Sequence, residues 1–427
     1  MERLTIVMFP WLAHGHISPY LELAKRLSRR NFIVHLCSTA ANFKSIENSI
    51  GASSIRLVPL HLPDTYLDSR FHTTNGLPPD LMPFLKRMLD LAAPELRPDL
   101  LVYDFLQPWA PLVAKEHGVP AVEFITTTAT MMAYLFHHFS DPEAAFPFPE
   151  IHYRDYELPH RECLLAVAEE VRRDAFAGVH RSNGVVLIKG FREIESKYSD
   201  YLAELLGRRV VAVGALVQEA VTISHELIQW LDNKGKNSTV FVSFGSEYFL
   251  TREDMMELAH GLELSMLNFI WVVRFPKREE KIVLEDSLPQ GFLERVEGRG
   301  LVVEGWAPQA QILGHESVGG FVSHCGISSM MESMKFGVPI IAMPMHLDQP
   351  LNARLVELIG VGVEVVRDAR GMLEREAVAG VIPSVVADEG LRMSSNRMSE
   401  GDEEIDEVVE AFLKLYHNNN KTINGFH

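Results

Sequence analysis

Short apolar runs, most of them separated by longer amphipathic segments, are the main pattern of hydrophobic and polar positions along this chain. Such runs are typical of strands buried on both faces, and the segments between them of helices that cover a parallel sheet. A first series lies at Leu4–Phe9, Phe32–Ser38, Leu100–Asp104, Ala121–Thr126, Val185–Lys189 and Val210–Gly214. A second series lies at Thr239–Gly245, Phe269–Phe275, Leu301–Glu304, Gly320–Ser323, Pro339–Pro344 and Val361–Val366. The pattern predicts an α/β fold with two doubly wound sheets.

A polar segment separates the two series. It contains one short amphipathic stretch, Leu227–Leu231, and then Asn233–Ser238, whose composition is typical of turns. We therefore predict an N-terminal Rossmann-like domain over 1–217, a linker over 218–238 and a C-terminal Rossmann-like domain over 239–401. The last apolar periodicity, in Asp402–His417, predicts a C-terminal helix and tail over 402–427, with the tail frayed from Asn418.

Composition narrows the classes of function. The 427 residues are 47% hydrophobic and 23% charged, as in soluble globular proteins of about two large domains. A net charge of −17 argues against nucleic acid and anionic lipid as partners. The three cysteines, Cys37, Cys163 and Cys325, are too far apart in sequence for a CxxC metal site or a disulfide framework. No apolar run approaches the roughly 20 residues of a membrane helix, so we expect a cytoplasmic protein, and a monomer.

The most informative segment is Trp306–Gln349. It contains an indole, a strand that ends in His324-Cys-Gly-Ile-Ser-Ser329, and a helix that begins directly behind that loop. Free backbone N–H groups at a helix N-terminus, together with serine hydroxyls, form a phosphate-binding arrangement. An indole offers a face on which a nucleobase stacks. Because ligands bind at the carboxyl ends of strands in such sheets, we expect this segment to bind a phosphate and a base there.

This segment resembles the donor-binding signature of plant family 1 UDP-glycosyltransferases, and the similarity covers nearly the whole chain. Supporting matches are Phe241–Ser246, Leu288–Arg295 and Gly15-His16. Phe9–His16 and Phe244–Glu247 are most similar to the branch that extends sugars already present on a glycoside, such as the triterpenoid mogrosides. The resemblance implies the GT-B fold, with two facing Rossmann-like domains and a cleft between them. It also implies an inverting hexosyltransferase of plant secondary metabolism that moves glucose from UDP-glucose to a hydroxyl of a small-molecule acceptor.

The resemblance assigns donor contacts to individual residues. Trp306 would lie against uracil, and Gln309 and Glu332 would bind the ribose hydroxyls. Asp348 and Gln349 would bind the sugar hydroxyls, and a glutamine at this position is associated with glucose. The full donor-binding set that the resemblance implies is Ser246, Trp306, Ala307, Gln309, His324, Gly326, Ile327, Ser328, Ser329, Glu332, Asp348 and Gln349.

The diphosphate contacts include one departure from the family pattern. His324, Ser329 and the loop of Ser246 would hold the pyrophosphate. The family usually has Trp-Asn where this chain has Ile327-Ser328, so an indole and an amide are lost while the backbone donors remain. Ser328 offers a shorter reach than the amide, and weaker donor binding is expected.

The candidate base is His16, because an alcohol needs a base to take its proton and histidine titrates near neutrality. His16 follows the first strand and precedes a helix opened by Ser18-Pro19, which places it at the carboxyl edge of the sheet. Asp104 ends another buried run at an equivalent edge and matches the family's partner acid, which would fix the histidine tautomer. His14 is the competing base, but the family pattern aligns His16.

Apolar segments of the N-terminal half are candidates for the acceptor pocket. We assign Phe105, Trp109, Met131 and Phe136 to it, and add His346 from the C-terminal half. The chain contains no Asp-x-Asp triplet and no residue cluster with metal-ligand spacing, so we expect no metal and no cofactor, with UDP-glucose as donor substrate.

Two other functions stay open on the sequence. A UDP-sugar epimerase of the same fold would need no acceptor pocket. A protein that binds a glycoside without turnover would fit the altered Ile327-Ser328. Release of UDP separates turnover from mere binding. The sequence does not fix the acceptor, the regiochemistry, or the preference for sugar or aglycone hydroxyls.

Overall fold

A computed structural model of the chain describes residues 3–47, 50, 54–62, 82–167, 169–217, 225–245, 248–276, 283–395 and 403–424. Helices and strands are numbered in chain order. The chain forms two compact units. The first comprises 1–145, 167–216 and 401–427, and the second comprises 146–166 and 217–400.

The first unit contains a parallel sheet in the order β3-β2-β1-β4-β5-β6-β7. Its strands are β1 (Thr5–Phe9), β2 (Ile33–Ser38), β3 (Ile55–Pro59), β4 (Leu100–Asp104), β5 (Ala121–Ile125), β6 (Val185–Ile188) and β7 (Arg209–Ala212). Its helices are α1 (His14–Arg29), α2 (Ala40–Ile46), α3 (Met82–Leu96), α4 (Ala110–Glu116), α5 (Ala129–Ser140), α7 (Glu169–Arg181), α8 (Arg192–Leu206) and α17 (Glu403–Asn424).

Alternation along β1 shows why helices cover both faces of this sheet. Ile6 and Met8 point into an apolar core shared with α1 and α17, whereas Val7 and Phe9 point into a second core shared with α3 and α4. Since successive strand side chains point to opposite faces, a fully apolar strand needs a cover on each side. The doubly wound arrangement predicted from the apolar runs is confirmed.

The second unit contains a parallel sheet in the order β10-β9-β8-β11-β12-β13. Its strands are β8 (Thr239–Ser243), β9 (Asn268–Val273), β10 (Gly300–Glu304), β11 (Val318–Ser323), β12 (Ile340–Ala342) and β13 (Gly362–Glu364). Its helices are α6 (Leu158–Leu165), α9 (His225–Asp232), α10 (Arg252–Leu264), α11 (Phe292–Arg295), α12 (Gln309–Leu313), α13 (Ile327–Lys335), α14 (Gln349–Leu358), α15 (Arg375–Ala387) and α16 (Glu389–Ser395).

Residues 146–166 correct the predicted domain boundaries, because they pack with the second unit although we assigned them to 1–217. Arg154 Nη2 donates to Glu364 Oε2 at 2.8 Å. Buried Arg354 donates from Nη2 to both carboxylate oxygens of Glu157 at 2.9 Å. These partners lie about 200 positions apart in sequence, so no local sequence pattern predicts these contacts.

Two further differences concern single elements. The predicted linker over 218–238 contains α9, whose Leu231 is fully buried in the core of the second unit. The predicted frayed tail is wrong in part, because α17 continues to Asn424. Asn419 Nδ2 donates to the Gly118 carbonyl at 3.2 Å, and Leu415 and Tyr416 pack on the first core. Tertiary contacts therefore stabilise helix that propensity alone does not predict.

No helix in the described ranges is long and apolar enough to cross a membrane.

Candidate active site

His16 and Asp104 meet at the carboxyl edge of the first sheet. α1 begins shortly after β1, so His16 lies in its first turn, and Asp104 ends β4, the neighbour of β1 in the sheet. His16 Nδ1 lies 2.8 Å from Asp104 Oδ2. Because the carboxylate accepts, Nδ1 carries the proton and Nε2 presents a lone pair. The predicted pairing of these two residues is present, and its geometry is that of an oriented base.

The surroundings of the pair fix its geometry. Asp104 is fully buried, and its second oxygen accepts the Leu106 N–H at 3.1 Å. Thr126 Oγ1 lies 3.1 Å from His16 Nδ1. The Phe105 ring stacks on the imidazole, with centroids 5.7 Å apart and an interplanar angle of 25°. The competing His14 begins α1, and its side chain lies outside the described residues.

The predicted acceptor residues lie on several elements of the two units. Phe105 touches the base, and Trp109 precedes α4 on the same turn. Met131 and Phe136 lie on α5 and are buried. The Phe136 ring packs edge-on against Phe176 of α7 at 4.8 Å, so it belongs to the core of the unit. His346 lies in the second unit.

Most of the predicted donor residues lie along the carboxyl edge of the second sheet. Trp306 follows β10 and is 76% exposed, which leaves its indole face open for stacking. Gln309 Nε2 donates to Glu332 Oε2 at 2.8 Å and to Ser329 Oγ at 3.0 Å. These three polar side chains therefore form one cluster between α12 and α13, next to Trp306. Ala307 is buried beside them, and Ser246 lies outside the described residues.

His324 lies between two glycines. A Cβ at Gly245 or at Gly326 would come 2.6 Å from His324 Nε2, so neither position accommodates a side chain without movement. Burial, with a smaller contribution from the neighbouring His346, lowers the pKa of His324 to about 4. His324 is thus neutral at pH 7 and offers a hydrogen bond without a positive charge. Gly326 is the N-cap of α13, which begins with Ile327 and Ser328, so the helix N-terminus is the positive element there.

Gln349 is more constrained than the sequence suggests. Its Oε1 accepts the backbone N–H groups of Met345 at 3.0 Å and His346 at 3.1 Å, and its Nε2 donates to His346 Nδ1 at 2.9 Å. Gln349 is only 5% exposed. Both lone pairs of the carbonyl are in use. Among the described residues, one amide N–H of Gln349 has no partner, and it is the group that could bind a sugar hydroxyl. Sugar reading by Gln349 stays a prediction.

Asp348 is tied to the loop after β11 through Asn352. Asn352 Nδ2 donates to Asp348 Oδ2 and to the Cys325 carbonyl, both at 2.9 Å. Cys325 has a φ of 64°, a left-handed conformation unusual for a residue with a side chain. One buried amide thus couples the loop after β11 to the N-terminus of α14.

The chain is similar in sequence to proteins of known function. Residues 198–400 match the family model described as UDP-glucoronosyl and UDP-glucosyl transferase. The beta-D-glucosyl crocetin beta-1,6-glucosyltransferase of Gardenia jasminoides is 48% identical, over 96% of this chain and 98% of that protein. A mogroside IIIx synthase of Siraitia grosvenorii is also 48% identical, over 96% of this chain and 98% of that protein. The chain belongs to the plant family 1 UDP-glycosyltransferases.

The fold agrees. The structure of Phytolacca americana UGT2 complexed with UDP-2fluoro-glucose and pterostilbene gives a TM-score of 0.79 at 26% identity, over 96% of this chain and 99% of that chain. This glycosyltransferase therefore has the GT-B fold and transfers a sugar from a UDP-sugar donor.

Two residues of this glycosyltransferase escaped the sequence argument. Thr126 follows β5. The sequence feature that could have indicated it is the polar run Thr126-Thr-Thr128 at the carboxyl end of a strand. Glu195 lies in a non-helical kink of α8, and its Oε1 accepts the Thr130 N–H at 2.9 Å and the Thr130 hydroxyl at 2.7 Å. It thereby caps the N-terminus of α5, and burial raises the pKa of Glu195 to about 7. No sequence signal indicates this contact.

A second carboxyl group lies near the pair of His16 and Asp104. Glu123 in β5 is buried, and its Oε2 lies 3.3 Å from the Tyr103 hydroxyl, which donates to the Gly178 carbonyl at 2.8 Å. Burial raises the pKa of Glu123 well above its usual range, and the charge on Asp104 raises it further. The raised pKa favours the protonated form of Glu123 in the folded protein.

We expect Glu123→Gln to stabilise the protein increasingly as pH rises. A raised folded-state pKa gives stability that is complete below the unfolded pKa of about 4.3 and is lost as pH rises toward the folded value. The neutral amide avoids that loss, so the difference in free energy of unfolding should grow between pH 6 and 8 by up to about 1.4 kcal/mol per pH unit. Urea denaturation at several pH values measures it, with the exposed Glu116→Gln as control. A constant difference across this range would mean that Glu123 is ionised in the folded state.

Proposed function

We propose that this enzyme transfers glucose from UDP-glucose, with inversion, to a hydroxyl on a sugar of a triterpenoid or similar glycoside. The observation that supports the chemistry is the contact of 2.8 Å between His16 Nδ1 and Asp104 Oδ2. An imidazole held in this tautomer is suited to accept a proton at Nε2.

The reaction then needs one proton transfer and one displacement. His16 Nε2 takes the proton of the acceptor hydroxyl as its oxygen attacks the anomeric carbon of glucose. The bond from that carbon to the UDP oxygen breaks, and UDP leaves with the electron pair. Asp104 stabilises the imidazolium that forms. Attack from the face opposite UDP converts the α-linked donor into a β-glucoside.

The second unit would hold the donor. We assign uracil to the exposed face of Trp306 and the ribose hydroxyls to Gln309 and Glu332. The diphosphate would lie at the N-terminus of α13, where Ser329 and neutral His324 add hydrogen bonds. The glucose hydroxyls are assigned to Asp348 and to the remaining amide N–H of Gln349.

The acceptor class rests on the relatives. The Gardenia protein is named for adding glucose to a glucosyl crocetin, and the Siraitia protein for making a mogroside. The first name describes an acceptor that already carries sugar, and the second describes a product that belongs to a glycoside series. The sequence pattern Phe9–His16 supports the same branch.

We also propose that the reaction is independent of metal and cofactor, and that the enzyme acts as a cytoplasmic monomer. Within the ranges that the structure describes, no three His, Cys, Asp or Glu side chains are grouped to hold a metal ion. The charge on leaving UDP would be met by the N-terminus of α13 and its hydrogen-bond donors.

The deciding experiment incubates the enzyme with UDP-glucose and a panel of triterpenoid, carotenoid and flavonoid glycosides together with their aglycones. Mass analysis should show products heavier by one hexose, most abundant from glycosides, and unchanged in EDTA. UDP-galactose in place of UDP-glucose should give slower transfer. Absence of hexose transfer to every glycoside would refute the proposal, and UDP binding without UDP release would support a non-catalytic binder instead.

A further inference from the structure

Gln107 carries an amide that the fold does not use. The residue is 0% exposed, and neither Oε1 nor Nε2 has a hydrogen-bond partner in the described part of the chain. Its backbone is satisfied, since its N–H donates to the Asp104 carbonyl at 2.8 Å and its carbonyl accepts the Ala110 N–H at 2.9 Å. Leucine or methionine would serve this turn without leaving a buried amide unpaired, which costs stability. The amide therefore lacks a partner in the described part of the chain, and a bound ligand would supply one.

Two indole N–H groups at the same sheet edge share this condition. Trp11 lies just beyond β1 and Trp109 just before α4, and the Nε1 of each is buried without a partner among the described residues. β1 and β4 are adjacent in the sheet, with Phe9 opposite Tyr103. The Phe9 ring packs edge-on against Trp109 at 5.9 Å, so both strand ends meet there.

This edge is also where the base lies. Gln107 follows Asp104 by three positions, and the turn between them carries Phe105, which stacks on His16. The turn reaches the surface, since Phe105, Leu106 and Trp109 are each partly exposed. Rotation of a side chain at a binding site is common, and the glutamine side chain has three rotatable bonds with which to meet a ligand.

The unpaired groups are four N–H donors, two on the Gln107 amide and one on each indole, and a carbonyl acceptor beside aromatic planes. Adjacent hydroxyls of a sugar each donate and accept, whereas its C–H faces pack on aromatic rings, so a sugar satisfies this set. A terpenoid aglycone carries its hydroxyls singly on a large apolar skeleton and does not offer such a run of adjacent hydroxyls. We propose that Gln107, together with the indole N–H groups of Trp11 and Trp109 at the same strand ends, binds a hydroxyl of the sugar on the acceptor and sets the preference for glycosides over aglycones. This assignment rests on the function proposed above.

The test is a thermodynamic cycle in which one change is made in the protein and the other in the acceptor. Wild type and Gln107→Leu are assayed on one glucoside and on its deoxy analogues, each lacking one hydroxyl. With wild type, one deoxy analogue should lose about ten- to a hundred-fold in kcat/KM. With Gln107→Leu the parent glucoside should fall by the same factor, and that deoxy analogue should lose nothing more, because the shared hydrogen bond is already gone.

Controls separate a binding role from a structural one. Gln107→Met should match Gln107→Leu, Leu106→Met on the same turn should match wild type, and both Gln107 variants should keep the wild-type Tm or exceed it. UDP affinity should be unchanged. Additive losses for every deoxy analogue, or a lower Tm with equal losses on glucoside and aglycone, would overturn the assignment and leave the transfer reaction standing. Failure of wild type on every glycoside would instead overturn the proposed function and this assignment with it.

Discussion

His16→Ala is expected to lower kcat by roughly 10²–10⁴ while leaving UDP affinity intact. The base accepts its proton at Nε2, and the variant leaves the acceptor hydroxyl without a proton acceptor of suitable pKa. Asp104→Asn should cost nearly as much, because an amide cannot hold the imidazole in the same tautomer or stabilise its charged form. Initial rates of UDP release in the presence of acceptor, together with UDP titration, measure both effects.

The chain offers a matched control for that prediction. His117 Nε2 lies 2.9 Å from Asp90 Oδ1, a histidine and carboxylate pair with a similar distance on the surface of the same unit. His117→Ala should leave kcat unchanged. A His16→Ala enzyme with near-normal turnover would remove His16 from the mechanism. Because the two residues act as one unit, the double variant His16→Ala with Asp104→Asn should be little slower than either single variant.

Arg354→Met is expected to lower the free energy of unfolding by about 3–5 kcal/mol, because it leaves the buried Glu157 carboxylate without its cation. Both side chains of this pair are at least 96% buried, and Arg354 also contacts Glu364. The loss should appear in urea denaturation. Adding Glu157→Gln to Arg354→Met should recover most of it, since the second change removes the uncompensated charge.

An exposed pair provides the comparison. Arg295 pairs with Glu263 on the surface of the same unit, so Arg295→Met should cost far less than Arg354→Met. Equal losses from Arg354→Met and Arg295→Met would show that the buried pair contributes no more than a surface one. Residues 146–166 would then be held to the second unit by apolar packing.

Much of this glycosyltransferase is determined by the sequence itself. Apolar runs located most of the strands, because strands buried on both faces must be continuously hydrophobic. β3 was the exception, since Arg56 and Pro59 are exposed and interrupt the apolar pattern at the sheet edge. The donor signature was equally visible, because Trp306, Gln309 and Glu332 fall within 27 consecutive residues of one chain segment.

Only the tertiary structure decided the contacts that make those residues function. His16 meets Asp104 from 88 positions away and Thr126 from 110, because parallel strands bring distant carboxyl ends to one edge. The raised pKa of Glu123, the hydrogen bonds that hold Gln349 to its own loop and the attachment of residues 146–166 to the second unit have the same origin. Each depends on which side chains the fold brings to within about 3 Å of one another. The local pattern of apolar and polar residues does not determine such long-range contacts.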